Sequence, residues 1–171
     1  SGLSFDAMTK GGYIVTNNHV IEGCEDVRVH RQGTIIDAVV ISRDPRNDLA
    51  VLKAEFRPVA VFALDNANPQ LMQDIYVAGY PFGNKVSSSL KVTKGIISSL
   101  TGFENNFSNI QIDASLQPGN SGGPIFDDEG NVKGVAVATL DLSKSIDELG
   151  TIPQNTNFGV KANIVSNLLL S

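Results

Sequence analysis

This sequence has little cysteine, no cluster of basic residues and no long apolar run. The 171 residues contain one cysteine, which excludes an intrachain disulfide and the disulfide-rich secreted scaffolds. No stretch reaches the roughly 18 apolar residues of a transmembrane helix. The opening SGLSFDAM has neither the basic nor the apolar part of a signal peptide. We therefore expect a globular domain that makes no membrane contact of its own.

Charged residues make up only 18% of the chain, and the net charge is −5. A nucleic-acid-binding surface needs clustered Lys and Arg to neutralise phosphates, so nucleic acid is not an expected partner. The carboxylates of DDEGN, residues 127–131, lack the length and spacing of a calcium loop. We expect no metal and no organic cofactor.

The single cysteine, Cys24, lies between acidic residues in VIEGCEDV. Acidic neighbours oppose formation of the reactive thiolate. We interpret Cys24 as a small, partly buried structural residue rather than as a nucleophile.

Short runs rich in Val and Ile alternate with Gly, Asn, Asp and Pro, which is typical of an all-β protein. Frequent turns favour barrels or sandwiches over a parallel α/β sheet. Only the tail ANIVSNLLL has helical spacing, and the polar stretches 65–70 and 141–156 are predicted to be a linker and a loop. The predicted strands form two series, near 11–15, 26–30, 34–42, 49–53 and 59–64, and then near 75–80, 89–100, 109–112, 123–126, 132–139 and 157–161.

The segment QPGNSGGPIF, residues 117–126, places Ser121 among three glycines and an asparagine. The structural interpretation is a glycine-rich hairpin loop. The catalytic interpretation is a nucleophile, with the amides of Gly119 and Ser121 forming an oxyanion hole. A serine nucleophile needs a base and a group that orients the base.

The chain has two histidines, and His19 follows the β-branched run YIVT, at the end of a predicted strand. His30 beside a charged turn is most simply a solvated strand residue. Asp48 directly precedes the apolar run LAVL. A carboxylate that enters the core there is unfavourable unless a hydrogen-bond donor or a positive charge pairs with it. Taken singly, His19 would more often be structural, and Asp48 would be a strand-capping residue.

The order His19, Asp48, Ser121 is the His–Asp–Ser order of the chymotrypsin type. GNSGG also matches the G-x-S-x-G motif of α/β-hydrolases, but those enzymes need a histidine after the serine, and none follows Ser121. The subtilisin order would need an aspartate before His19, where only Asp6 is available, and that fold is α/β.

The blocks TNNHV, NDLAVLK and QPGNSGGPIF resemble the catalytic blocks of trypsin-like serine peptidases, especially of the HtrA/Deg branch. YVAGYPFG, KVTKGIISSL, GNVKGVAVA and NFGV extend the resemblance over about residues 1–165. It implies the chymotrypsin fold: two six-stranded antiparallel β-barrels, over about 1–66 and 72–161, and a short C-terminal helix over about 162–170. It also implies catalysis by His19, Asp48 and Ser121, with the Gly119 and Ser121 amides binding the oxyanion.

The departures from the family pattern concern activation and specificity. Asn120 stands where trypsin has the aspartate that pairs with a new N-terminus, so activation by N-terminal cleavage is not expected. Lys161 stands near the place of a common HtrA proline. Ser115 takes the position at the base of the specificity pocket. An uncharged residue there argues against substrates with Arg or Lys before the cleaved bond (the P1 position) and favours substrates with a small or medium apolar residue there. The predicted pocket residues are Ser115, Val137, Ala138, Thr139, Phe158 and Val160.

The resemblance further implies polypeptide substrates, including unfolded proteins, which would add as a strand near 137–139. It implies a homotrimer through segments outside this sequence, and it favours the cell envelope or periplasm. Two alternatives stay open: an enzyme that rests until its loops are ordered, and a catalytically silent module that binds or senses.

Overall fold

Two groups of strands, one sheet and one barrel, form the framework of the computed structural model. The structure describes residues 3–5, 12–31, 33–58, 61–80, 89–117, 119–138 and 157–171. Within these ranges the chain is mostly β, with two α-helices and a short 3-10 turn at Phe103–Asn105. The predicted loop over 141–156 lies outside the described residues.

The N-terminal half is a five-stranded antiparallel sheet with the strand order β1-β2-β5-β4-β3. The alternating burial of β3 and β4 matches a sheet with one face on the core and one in solvent. Its elements are β1 (Leu3–Phe5), β2 (Gly12–Thr16), the one-turn helix α1 (Asn18–Ile21), β3 (Val27–Arg31), β4 (Thr34–Asp44) and β5 (Leu49–Ala54).

The C-terminal half is a closed six-stranded barrel with the order β10-β11-β8-β7-β6-β9. Closure leaves no strand edge of the barrel unpaired. The nine-residue helix α2 (Ala162–Leu170) follows the last strand, as predicted. The strands are β6 (Asp74–Gly79), β7 (Lys91–Ser99), β8 (Asn109–Ile112), β9 (Pro124–Phe126), β10 (Val132–Val137) and β11 (Asn157–Lys161).

Three predictions about the first half and its linker differ from the structure. The six-stranded N-terminal barrel is not seen: the described residues of that half form five strands in an open sheet. The strand predicted over 59–64 is not formed over 61–63, and Leu64 makes only an isolated parallel bridge to Val132. Cys24, predicted to be partly buried, is exposed.

A shared core joins the two halves. Buried valines and one leucine from β2, β5, β10, β11 and α2 meet in one cluster: Val15, Leu49, Val51, Val132, Val135, Val160 and Val165. A second cluster fills the barrel, and a third lies on the N-terminal sheet. Residues of β2 and β5 are therefore packed against β10, β11 and α2.

Candidate active site

Two consecutive turns build the loop that carries Ser121. The first is closed by the Asn120 N–H donating to the Gln117 carbonyl at 2.9 Å, and the second by the Gly123 N–H donating to the Asn120 carbonyl at 2.9 Å. Gly119 and Gly122 hold φ values of 99° and 79°. Each is the third residue of its turn, the position where a type II turn requires positive φ and so favours glycine. The glycines thus have the tight-turn role that the sequence indicated.

Ser121 lies at the second position of the second turn and is only 7% exposed. Its Oγ accepts a hydrogen bond from the Ala138 N–H at 3.3 Å. The Gly122 N–H donates to the Ala136 carbonyl at 2.9 Å, which ties the loop to β10. The hydroxyl is therefore held near the end of β10, where extended substrate is predicted to add.

His19 lies just after the end of β2, on α1, a single turn of helix that follows β2 after one residue. A four-residue helix is too short to produce a periodic apolar pattern, so the sequence carried no signal for it. The side chain is 30% exposed.

Asp48 ends the turn that leads into β5 and has a φ of 54°, a left-handed value in which Asp and Asn are enriched among non-glycine residues. Its Oδ2 lies 2.6 Å from His19 Nδ1, and its Oδ1 accepts a hydrogen bond from the His19 N–H at 2.8 Å. The carboxylate thus orients both the ring and the main chain of the histidine.

Strand register brings this pair together. Strands β2 and β5 run antiparallel with Thr16 opposite Ala50. The end of β2 and the start of β5 therefore share one edge of the sheet. His19 and Asp48, 29 residues apart in the chain, meet at that edge.

Asn17 is a site residue that the sequence reasoning missed. Its Nδ2 donates to the Asp48 carbonyl at 3.0 Å, beside the Asn18 N–H, which donates to the same oxygen at 3.1 Å. The signal available in the sequence was their position, because Asn17 and Asn18 directly precede the candidate base His19.

The predicted pocket residues differ in accessibility. Ser115 is exposed, and its carbonyl accepts a hydrogen bond from the Thr93 hydroxyl at 3.3 Å. Val137 pairs with Phe158 across β10 and β11. Val160, 1% exposed, lies in the shared core and is closed to solvent here.

The remaining members of the predicted pocket are Ala138 and Thr139. Ala138 is partly buried and contacts Ser121 through its main chain. Thr139 lies outside the described residues.

Three other features of the described residues are possible metal ligands, the second histidine and the length of the helices. No group of three or more His, Cys, Asp and Glu side chains there could hold a metal ion. His30 is exposed on β3, as predicted. None of the helices within these ranges is both long and apolar enough to span a bilayer.

A family model described as a trypsin-like peptidase domain matches residues 2–135. A "Serine protease Do-like HtrA" of Lactobacillus helveticus is 35% identical over 96% of this chain and 40% of its own length. A "Probable periplasmic serine endoprotease DegP-like" of Brucella suis is 40% identical over 87% of this chain and 30% of its own length.

The crystal structure of a serine endoprotease from Yersinia pestis superposes with a TM-score of 0.76 and 30% identity, over 99% of this chain and 55% of that one. The present chain spans less than half the length of the two curated relatives.

Proposed function

This chain belongs to the trypsin-like peptidase family as a serine endopeptidase domain related to HtrA/Deg proteases, and we propose that its triad is His19, Asp48 and Ser121. The observation that carries the assignment is the 2.6 Å contact between His19 Nδ1 and Asp48 Oδ2. A carboxylate at Nδ1 keeps the proton on that nitrogen and leaves Nε2 to act as the base. The glycine turns around Ser121 supply the complementary half of the site.

The proposed reaction has two halves. Ser121 Oγ forms a bond to the peptide carbonyl carbon while His19 Nε2 takes the hydroxyl proton, and the amides of Gly119 and Ser121 donate to the developing oxyanion. The C–N bond then breaks as His19 returns the proton to the departing amine. Water, deprotonated by His19, hydrolyses the acyl-enzyme and restores the serine. Asp48 stabilises the imidazolium in both halves.

The bond from the Ala138 N–H to Ser121 Oγ suggests that the described arrangement is a resting one. A hydrogen bond donated to the nucleophilic oxygen occupies one of its two lone pairs, so release of this bond would make the oxygen a better nucleophile. An extended polypeptide that pairs with the end of β10 would compete for this amide. The same bond is also compatible with the second candidate function, a silent module that binds peptides without cutting them.

We propose polypeptides, including unfolded proteins, as substrates, and quality control or regulated proteolysis in the cell envelope or periplasm as the role. Support comes from the relatives, one of which is named as a periplasmic endoprotease. Ser115 is exposed and carries no charge, so it offers no partner for a basic substrate side chain. This supports a small or medium apolar residue at the P1 position of the substrate. Assembly as a homotrimer would use segments outside this sequence.

A fluorophosphonate probe tests the assignment, because it labels only an activated serine. We expect labelling of the wild type and its loss in both Ser121→Ala and His19→Ala. Labelling that appears only when a reduced, unfolded protein is added would identify the resting form. If the folded wild type remains unlabelled under both conditions, the peptidase assignment fails and the binding module replaces it.

A further inference from the structure

Asn17 occupies the N-cap position of α1 but does not cap the helix. Asparagine at this position ordinarily accepts a hydrogen bond from an amide of the first helical turn. The Asn17 side chain makes no such bond. Its Nδ2 donates instead to the Asp48 carbonyl, 31 residues away in the chain.

This arrangement has an energetic cost. Asn17 is fully buried, and among the described residues its Oδ1 has no hydrogen-bond partner. Leaving a buried polar oxygen unpaired is unfavourable. The amides that a cap would use are already engaged, because the His19 N–H donates to Asp48 Oδ1 and the Val20 N–H donates to the Asn17 carbonyl. The Asn17 side chain is therefore held by Asp48 and not by α1, which indicates a role beyond stabilising the helix.

Asp48 is the residue that this bond restrains. A non-glycine residue with a φ of 54° lies in a sparsely populated region and stays there only when its surroundings hold it. The Asp48 carbonyl accepts hydrogen bonds from Asn17 Nδ2 and from the Asn18 N–H. These two donors fix the peptide plane that follows Asp48, and the backbone angles of Asp48 set the direction of its carboxylate.

We infer that Asn17 is a positioning residue of the peptidase site, whose amide holds the Asp48 backbone so that the carboxylate meets His19 Nδ1. The catalytic part of this inference rests on the proposed function, whereas the effect on the His19 ring does not. The side-chain hydrogen bond of Asn17 goes to Asp48, so its role is positioning and not chemical catalysis.

Asn17→Ser separates positioning from capping. Serine is as good an N-cap as asparagine, but its side chain is one heavy atom shorter and cannot reach the Asp48 carbonyl in the same way. Asn17→Ala removes both capacities. Ile75→Val, which removes a methylene group from the barrel interior, serves as the stability control because the core cluster of Ile75 contains no residue of α1 or β5.

Two readouts apply to all variants. Hydrolysis of a peptide substrate gives kcat and KM, and long-range ¹H–¹⁵N spectra show which ring nitrogen of neutral His19 carries the proton. For Asn17→Ser and Asn17→Ala we expect kcat to fall about tenfold, the effect of losing one hydrogen bond, with KM within about twofold. We expect the wild type and Ile75→Val to hold the proton on Nδ1, and both Asn17 variants to show a mixture of the two tautomers.

A purely structural role predicts a different result: Asn17→Ser would retain wild-type kcat and a single tautomer, and that result would overturn the inference. So would a loss of activity that matches the unfolded fraction measured by circular dichroism. If the wild type neither labels nor cleaves, the proposed function fails, and the tautomer spectra alone decide whether Asn17 positions Asp48.

Discussion

Lys133 on β10 connects the linker between the two halves to the barrel, and its removal should destabilise the whole domain. Its ammonium forms an ion pair with Asp65 and lies 3.9 Å from Asp127 Oδ2. The Lys133 side chain is 7% exposed and that of Asp127 8%, whereas Asp65 keeps 25% exposure. Next to the ion pair, the Asp65 N–H donates to the Val132 carbonyl at 2.9 Å, so the linker runs along β10.

Lys133→Met keeps the apolar stem and deletes only the charge. Removing one partner of a buried ion pair typically costs about 3–5 kcal/mol, because the other charge stays buried and unpaired. Asp65 can recover part of its hydration, so we expect the lower end, about 3 kcal/mol. For a domain of this size each kcal/mol lowers Tm by about 2–4 °C, which gives a decrease of about 6–12 °C.

Urea and thermal unfolding of four proteins would measure this effect: wild type, Lys133→Met, Asp65→Asn and the double variant. We expect the double variant to be destabilised by at least about 1 kcal/mol less than the sum of the single variants, since the two groups interact directly. Lys94→Met is the matched control, because Lys94 pairs with Asp74 at 3.4 Å while both side chains are more than half exposed. Such a pair contributes at most about 1 kcal/mol. Equal losses for Lys133→Met and Lys94→Met would refute the reasoning.

Three further predictions concern the site and acid stability. Asp48→Asn should lower kcat about 10⁴-fold in a folded protein, because an amide favours the wrong histidine tautomer; kinetics beside circular dichroism would show this, and an unchanged kcat would contradict it. Gly123→Ala should cost about 3 kcal/mol in urea unfolding, because its Cβ would lie 2.5 and 2.9 Å from two main-chain carbonyl oxygens. Gly130→Ala, at φ 85° with open space around the new Cβ, should cost only about 1 kcal/mol, and equal costs would argue against the steric cause. The hydrogen bond from Lys133 lowers the pKa of Asp65 below 3.8. This stabilisation is therefore present above pH 3.8 and is lost as the pH falls through the lower pKa that Asp65 has in the folded state. In that pH range the free energies of unfolding of the wild type and of Lys133→Met should converge. A difference that stays constant with pH would contradict the assignment of the pKa shift to Lys133.

Most strand positions were predictable from the sequence. The runs of Val and Ile between turn residues correspond to observed strands within about two residues at each end, because β-branched side chains and period-two burial are local properties. The segment 59–64 shows the limit of that reasoning. Among its described residues, 61–64, Phe62 and Leu64 pack against the shared core, and only Leu64 bridges another strand. An apolar run predicts burial and does not specify the hydrogen-bond partner.

The N-terminal half shows a second limit. The resemblance to trypsin-like peptidases implied a closed barrel there, whereas the described residues form an open five-stranded sheet. Closure depends on tilt and stagger between strands distant in sequence, which no local pattern encodes.

Residue types and chain order determined the chemistry available to this protein. The sequence alone determined that the few candidate groups occur in the order His19, Asp48, Ser121, and that glycines stand at the left-handed positions of the Ser121 loop. The tertiary structure decided that His19 Nδ1 meets the Asp48 carboxylate, that Asn17 binds the Asp48 carbonyl, and that Ser121 Oγ accepts from Ala138. The physical reason is that these contacts depend on the register of β2 with β5 and on the packing of the loop against β10. Both are set by side chains spread over the whole core rather than by the motifs themselves.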